Sequence, residues 1–187
     1  MPAPERTSLD AIVSAGTELL EQAGPAGLTM QAVADRVGVR APSLYKRVRG
    51  RDELVRLVTE AAARDLGERL ESVVSGSPAD ARAQLATLAR EFRAFAHARP
   101  AAYRLVFAPA ADPARPDPES LARASAPLLR VAEALAGADH ALEAARTLTA
   151  WAHGFVSMEQ AGAFRLGGDV DAAFGYGLER LTDALTR

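Results

Sequence analysis

The spacing of apolar residues restricts this chain to helical folds. Near the start, apolar or small residues recur three or four positions apart, which is the period of one face of an α-helix. These residues are Leu9, Ile12, Val13, Gly16, Leu19, Leu20 and Ala23. Alanine, leucine and arginine dominate the whole chain, and strand-favouring residues never alternate with polar ones for long. The sequence therefore predicts an all-α fold.

Glycine and proline divide the chain into helical segments. Ser8 and Thr29 are candidate N-caps of the first two helices. Residues 24–27 end the first helix, Gly38 ends the second in a left-handed turn, and Pro42 lies in the first turn of the third. The predicted helices cover residues 9–23, 29–37, 41–47, 52–74, 80–98, 101–107, 119–136, 140–165 and 170–186. The proline-rich residues 108–118 predict a loop.

Composition excludes several classes of protein. The 187 residues include no cysteine, which excludes disulfides and thiolate chemistry, and 49% of them are apolar, enough for a sizeable core. Glu5, Arg6 and Asp10 stand where a secretion signal needs an apolar run. No stretch approaches the ~20 continuous apolar residues of a membrane helix. We expect a soluble cytoplasmic protein with no membrane partner.

Basic residues are concentrated in one short segment, which we call the basic island. Residues 36–51 contain six of the 22 basic residues and no acid, which leaves 16 basic against 24 acidic residues elsewhere. The six are Arg36, Arg40, Lys46, Arg47, Arg49 and Arg51. A basic segment on an acidic body indicates one face that binds an anion. The alternative is a solvated helix face.

Two short helices joined at Gly38 form a helix-turn-helix pattern. Apolar residues hold the pair together, and the second helix exposes polar residues that can enter the major groove of DNA. The apolar set is Ala32, Val33, Val37, Val39, Leu44 and Val48. The exposed set is Arg40, Ser43, Tyr45, Lys46 and Arg47. The pattern predicts binding of double-stranded DNA.

Residues 27–55, GLTMQAVADRVGVRAPSLYKRVRGRDELV, resemble the DNA-binding signature of the TetR family of regulators. The resemblance covers residues 8–60. It implies an all-α protein, with a three-helix helix-turn-helix domain at 1–50 and a helical effector-binding and dimerisation domain at 51–187. It also implies a homodimeric repressor that a small molecule releases from a palindromic operator.

The same resemblance implies roles by position. Thr29 would touch a phosphate, and Arg47 and Arg51 would bind phosphates where the family often has histidine and lysine. Tyr45 would contact the DNA backbone or a thymine, although it could also pack against the first helix. Val48 replaces a frequent phenylalanine. The residues implied to face bases are Arg40, Ala41, Pro42 and Ser43.

The segment WAHGFVSMEQAGAF, residues 151–164, resembles the effector domain called WHG within this family. Trp151, His153 and Gly154 carry that resemblance. Glycine inside a helix costs roughly 1 kcal/mol against alanine, so Gly154, Gly175 and Gly177 suggest close packing of helices. We interpret them as a dimer seam. The alternative is that they relieve crowding within one subunit.

The aromatic residues of the body predict a ligand pocket, because the family's C-terminal domains commonly hold an inducer. The expected effector is apolar or amphipathic, and Glu159 together with a histidine would supply polar contacts. The candidate ligand-binding residues are Phe92, Phe95, Tyr103, Phe107, Trp151, His153, Phe155 and Met158. The alternatives are that the aromatics fill the core and that the histidine lies in the core or an interface.

Two other classes of protein compete with a regulator. An enzyme is disfavoured because the chain has no HExxH, no GxSxG and no phosphate-binding glycine loop. Its three histidines are not spaced as metal ligands, so we expect no catalytic residues, no metal and no cofactor. The acids Asp52 and Glu53 are explained by the dipole at a helix start. A helical adaptor that binds only protein would not need the basic island.

Overall fold

A computed structural model describes residues 8–76, 80–108 and 116–186 of the chain. Within these ranges the fold is all-α, as the sequence predicts, with no strand. The helices are α1 (Leu9–Gly27), α2 (Met30–Val37), α3 (Ala41–Leu44), α4 (Arg51–Gly76), α5 (Ala81–Ala98), α6 (Pro100–Val106), α7 (Pro118–Ala136), α8 (Ala141–Gln160) and α9 (Val170–Leu185). A single 3-10 turn, Ala138–His140, precedes α8.

The helices form two compact units, with a division inside α4 after Asp65. The DNA-side unit contains α1, α2, α3, the first part of α4, α6 and the start of α7 up to Leu121. The body unit contains α4 from Leu66 onward, α5, α7 from Ala122, α8 and α9. The predicted domain boundary after residue 50 stays a prediction.

Local capping explains where the first two helices begin and end. The Ser8 side chain accepts a hydrogen bond from the backbone N–H of Ala11 at 3.2 Å, which confirms the predicted N-cap. Within α1, Gly24 adopts φ 67°, so the regular helix is interrupted there and a further turn runs on to Gly27. A residue with a side chain rarely takes that conformation, which explains the glycine.

The core of the DNA-side unit depends on a close approach of α1 and α4. A Cβ atom placed on Gly16 would lie 2.8 Å from Cγ2 of Val58 and 3.5 Å from Leu54. Helices pack this closely only where one of them lacks a side chain. The fully buried residues around the contact are Ile12, Leu20, Leu28, Val33, Leu44, Val48, Leu54 and Val58.

A tertiary contact caps α6. The two carboxylate oxygens of Glu21 accept hydrogen bonds from the backbone N–H groups of Ala101 and Ala102, at 3.1 and 2.9 Å. Pro100 stands at the start of the helix, where its missing N–H costs nothing. The negative charge at the helix N-terminus is favourable, and it ties α6 to α1.

The body unit is built on small residues as well as large ones. A Cβ atom on Gly67 would lie 2.9 Å from the Cα of Ala124, so α4 and α7 approach at backbone distance. Ala132, Ala136 and Ala144 form a buried alanine cluster that joins α7 to α8. Larger residues fill the rest of this core: Leu85, Leu88, Phe92, Phe95, Val131, Leu148, Val156, Phe174 and Leu178.

The predicted end of α8 at residue 165 is wrong, because the helix ends at Gln160. Gly162 takes φ 63°, and the N–H of Ala163 donates to the carbonyl of Met158 at 2.9 Å. The N–H of Gly162 donates to Glu159 at 2.9 Å, which completes a Schellman motif. This glycine therefore ends the helix one turn early, and an extended loop leads to α9.

The other boundaries agree with the sequence to within two residues, except that the helix predicted at 9–23 runs on to Gly27 and the helix predicted at 41–47 ends at Leu44. The loop predicted at 108–118 falls mostly on residues outside those that the structure describes. At its far end, the carboxylate of Asp117 accepts from the backbone N–H of Ser120 at 2.8 Å and begins α7. That hydrogen bond lowers the pKa of Asp117.

We expect Gly16→Ala to destabilise the protein, because the new methyl group has to displace the buried Val58. Overpacking costs about 1–3 kcal/mol, against which the better helix propensity of alanine returns less than about 1 kcal/mol. The measurement is the midpoint of urea unfolding. The Val58→Ala background lacks the Cγ2 atom that the new methyl group would meet. In that background Gly16→Ala should therefore be neutral or stabilising. Equal effects in both backgrounds would contradict the close contact.

Candidate functional site

The turn between α2 and α3 holds the two helices at a fixed angle. Gly38 adopts φ 74° and ψ 38°, and its N–H donates to the carbonyls of Ala34 and Asp35. The N–H of Val39 donates to Ala34 at 2.9 Å. Arg40 then precedes α3 in extended conformation, and Pro42 lies in its first turn. The left-handed glycine predicted from the sequence is confirmed.

Burial sorts the side chains of this motif into a packed set and an exposed set. Val33, Ala34, Leu44 and Val48 are fully buried, so they anchor α2 and α3 on the DNA-side unit. Tyr45 is 55% exposed, so packing against α1 does not account for it. The predicted base-facing and phosphate-binding residues are exposed or partly exposed: Thr29, Arg40, Ala41, Pro42, Ser43, Lys46, Arg47 and Arg51.

Thr29 combines a structural contact with a free donor. Its hydroxyl oxygen accepts from the backbone N–H of Ala32 at 3.1 Å and caps α2. A hydroxyl group both accepts and donates, so its proton stays available for an acceptor oxygen in solvent. The N-terminus of α2 also carries a partial positive charge. These properties suit a phosphate of DNA.

Two cations of the basic island are used inside the DNA-side unit. Arg36 donates to Glu18 at 2.8 Å and to Gln22 at 2.6 Å, which ties α2 to α1. Arg51 donates to the carbonyls of Leu28 and Pro25, at 3.1 and 2.5 Å. A guanidinium has five donors, so three remain on Arg51 for the predicted phosphate contact.

Two further cations of the island face outward. The side chains of Arg40 and Lys46 are exposed and make no hydrogen bond or ion pair within the part of the chain that the structure describes. Arg36 is neutralised by Glu18, whereas Arg40 and Lys46 keep unpaired charges on either side of α3. An exposed cation without a carboxylate partner is able to neutralise a phosphate.

The body unit contains a small apolar cavity of about 50 Å³. Phe92 and Trp151, two of the predicted ligand-binding residues, line it, and the polar atoms among its lining side chains are the Thr149 hydroxyl and the Trp151 indole N–H. The Thr149 hydroxyl donates to the carbonyl of Ala145 at 2.8 Å within α8, so it offers no donor to a ligand. The sequence did not indicate the other lining residues: Leu70, Leu85, Leu88, Ala89, Leu128, Leu148, Ala152 and Leu178.

The other predicted ligand residues lie elsewhere in the fold. Tyr103 and Phe107 belong to α6 and its end in the DNA-side unit, where their rings are 4.9 Å apart. Phe95 is fully buried, whereas Met158 is 49% exposed. The Phe155 ring contacts Trp151, Phe164 and Phe174.

The two expected polar contacts of the pocket are not among the cavity-lining residues. His153 is partly exposed on α8, and burial lowers its pKa, which favours the neutral ring. Glu159 accepts two hydrogen bonds from Arg93, at 2.9 and 2.5 Å, and one contact from His97 at 2.8 Å. Glu159 therefore joins α8 to α5.

Arg93 is the centre of an ionic cluster that the sequence did not indicate. It also donates to Asp171 at the start of α9, at 2.6 Å, and its guanidinium lies 4.9 Å from the ring centre of Phe174. The hydrogen bonds from Arg93 lower the pKa of Glu159, and those to Glu159 raise the pKa of Arg93. Arg93 thus links α5, α8 and α9 through two carboxylates and one ring.

Comparison with known proteins identifies the family. A model of the bacterial regulatory proteins of the tetR family matches residues 12–58. A second model, described as a tetracyclin-repressor-like C-terminal domain, matches residues 85–181, which is more than half of the chain. The chain belongs to the TetR family. Its members are DNA-binding transcription regulators and not enzymes, so the enzyme alternative is rejected. The narrower WHG resemblance stays a prediction.

Individual relatives agree with this assignment. An uncharacterised HTH-type transcriptional regulator of Mycobacterium tuberculosis is 28% identical over 98% of this chain and 84% of its own. A variant of TetR from Acinetobacter baumannii AYE, solved in complex with minocycline, is 25% identical with a TM-score of 0.68, and the match covers 95% of both chains. A protein of unknown function from Rhodococcus sp. RHA1 has the same fold: its TM-score is 0.80 at 22% identity, covering 100% of this chain and 98% of that one.

Two further findings concern metals and membranes. The described residues contain no group of three or more His, Asp or Glu side chains placed to hold a metal ion. None of the helices in the described ranges is long and apolar enough to cross a membrane.

We expect Glu159→Gln to lower the free energy of unfolding by about 2 kcal/mol at neutral pH, because it removes a charge bound by Arg93. Folding lowers the pKa of Glu159 from its ordinary value of 4.5, so its contribution is complete above that pH and is lost as the pH falls below it. The difference between variant and parent should therefore shrink in acid. Urea unfolding at a series of pH values measures it.

The matched control is Asp183→Asn. Its carboxylate binds Arg82 at 2.7 Å, but both side chains are more than 40% exposed. Exposed pairs contribute little, so this variant should unfold like the parent. A pH-independent loss in Glu159→Gln would contradict the role of its charge.

Proposed function

We propose that the chain binds a palindromic DNA operator as a homodimer and acts as a repressor that a small molecule releases. The observation that carries DNA binding is the α2–α3 motif, whose left-handed turn at Gly38 and buried anchors leave a polar, cationic α3 exposed. Family membership supports the same conclusion. Because the target is chromosomal DNA, we place this activity in the cytoplasm.

In this proposal α3 lies in the major groove. Arg40, Ala41, Pro42 and Ser43 face bases, and Tyr45 contacts the backbone or a thymine. Thr29, Arg47 and Arg51 bind phosphates on either side, with Lys46 adding charge. Arg51 then has two functions, since it also holds the carbonyls at positions 25 and 28.

The proposed dimer seam is the outer face of α8 and α9. A Cβ atom on Gly154 or Gly175 would meet nothing within 4 Å in the chain itself. Both glycines therefore stand on faces that have space for a second helix. Gly177 differs, because Trp151 of the same chain already occupies its space. The exposed apolar residues of this region support the seam: Leu142, Met158, Phe164, Leu166 and Tyr176.

The proposed effector site is the body-unit cavity lined by Phe92 and Trp151. The Acinetobacter relative was solved with minocycline, which shows that a protein of this fold takes a small molecule. α4 runs unbroken from Arg51 to Gly76 and has residues in both units. A change at the cavity wall near Leu70 can therefore reach the DNA-side unit along one helix, and altered spacing of two recognition helices releases DNA.

DNA binding is tested with fragments selected from a random duplex pool, by fluorescence anisotropy at several salt concentrations. We expect near-palindromic sites and steep salt dependence. Arg47→Ala should weaken binding to all duplexes about tenfold and lower the salt slope by about one, because it removes a phosphate contact. Arg40→Ala should instead change which bases are preferred.

The control for these variants is Arg64→Ala. Arg64 is exposed on α4, about 20 Å along the helix from its start, and should bind DNA like the parent. Absence of binding to every duplex, or binding insensitive to salt, would overturn the proposed function.

The dimer is tested by sedimentation at micromolar concentration, where we expect twice the chain mass. Gly154→Leu and Gly175→Leu should produce monomers, because the added side chains keep the partner helices apart. Gly76→Leu is the matched control: its Cβ also has open space, but at the end of α4. A monomeric parent, or equal dissociation by all three variants, would contradict the seam.

A further inference from the structure

The apolar cavity lined by Phe92 and Trp151 is too small for an ordinary effector. Sites for small molecules occupy about 300–1,000 Å³, whereas this cavity measures about 50 Å³. A ligand of ordinary size can therefore fit among these residues only if part of the wall moves. The part of the wall that moves determines which helix is displaced when a ligand occupies the cavity.

The lining also restricts the chemistry of the ligand. No charged side chain lines the cavity, and the Thr149 hydroxyl is already bound to a carbonyl of its own helix. Burying a carboxylate or an ammonium group there would cost several kcal/mol, because no opposite charge lines the cavity to compensate it. An uncharged hydrocarbon ligand has no such desolvation cost, and its transfer from water into the cavity is favourable.

Trp151 is the largest side chain of the wall, and α9 lies directly behind it. A Cβ atom on Gly177 would be 2.7 Å from Cζ2 of the indole and 3.2 Å from Cε2 and Nε1. One turn earlier, the ring of Phe174 stacks on the indole with centres 5.0 Å apart. On the side of α9, the indole therefore has no space to retreat unless that helix moves with it.

We propose that the cavity binds an uncharged, apolar ligand, and that the ligand displaces Trp151 against Gly177 and so moves α9. The inference deepens the effector site of the proposed function and rests on it for its biological meaning. Gly177 is the residue that lets α9 lie against the indole in the empty state. The same contact makes α9 respond when the cavity fills.

The first test compares toluene with benzoate, which differ in a methyl group against a carboxylate. Trp151 is the chain's only tryptophan, so its fluorescence reports the cavity wall directly. We expect toluene to change this fluorescence and raise the thermal midpoint, and benzoate to bind at least tenfold more weakly. Equal or tighter binding of benzoate, or no response to toluene, would overturn the inference.

The second test uses Gly177→Ala, whose new methyl group pushes the indole into the cavity. We expect altered tryptophan fluorescence without ligand and at least tenfold weaker toluene binding. Gly76→Ala, at the end of α4 and outside the proposed dimer seam, is the matched glycine control, since its Cβ also meets nothing within 4 Å. Toluene binding that is unchanged in Gly177→Ala, or equally reduced in both, would contradict the coupling.

A third variant keeps the test decisive if Gly177→Ala alone folds poorly. Trp151→Phe lacks the indole atoms that the new methyl group meets, so the double variant should fold and regain toluene binding, measured as the thermal shift. Failure to regain it would count against the contact.

None of these measurements uses DNA. A chain that binds DNA but not toluene refutes this inference alone, and one that binds toluene but no duplex refutes the proposed function alone.

Discussion

Close approach between helices, made possible by glycine, is the constraint on which the rest of this structure depends. Three such contacts recur: Gly16 against Val58, Gly67 against Ala124, and Gly177 against Trp151. Aromatic residues make up only 5% of the chain, so dense packing has to come from short distances between helices rather than from large side chains. Each glycine lowers the stability of its own helix, but it allows van der Waals contacts between neighbouring helices that offset this loss.

Some charged side chains of the DNA-side unit stabilise the fold, and others stay exposed for a partner. Arg36, Arg51 and Glu21 each bind polar groups within the DNA-side unit, and so fix α2, α4 and α6 around α1. This rigid frame supports α3, where Arg40 and Lys46 keep their charges for solvent or DNA. A recognition helix of four residues has little stability of its own. Its geometry therefore depends on the neighbours that these contacts fix.

The sequence predicted what local chemistry determines. The caps at Ser8 and Thr29 and the left-handed Gly38 act within a few residues, and all were identified correctly. The end of α8 was missed although Gly162 was visible, because a glycine followed by apolar residues also fits a continuing helix. Residues far apart in sequence gave no such signal: Glu21 caps α6 from 80 positions away, and Arg93 meets Glu159 across 66.

The same limit applied to the candidate site. Their large size makes aromatic residues the natural candidates for a pocket, yet the cavity wall is mostly leucine and alanine. Helical periodicity shows which leucines turn inward, but not which of them leave space between helices. Tyr103 and Phe107 share the residue type of the pocket group and pack on each other in α6 instead. The helix-turn-helix was easier to predict, because its function depends on consecutive residues.

The contacts of α9 determine how it can move when Trp151 is displaced. At its start, Asp171 binds Arg93, a side chain only 17% exposed that also stacks on Phe174 and binds Glu159. Near its end, Asp183 binds Arg82 in a pair exposed at both side chains, which is easily broken. Asp171 itself is 81% exposed, so the start of α9 is held mainly by Phe174, which is buried. In the proposed displacement we therefore expect the end of α9 to move more than its start, near Leu185, which packs on the alanine cluster that joins α7 to α8.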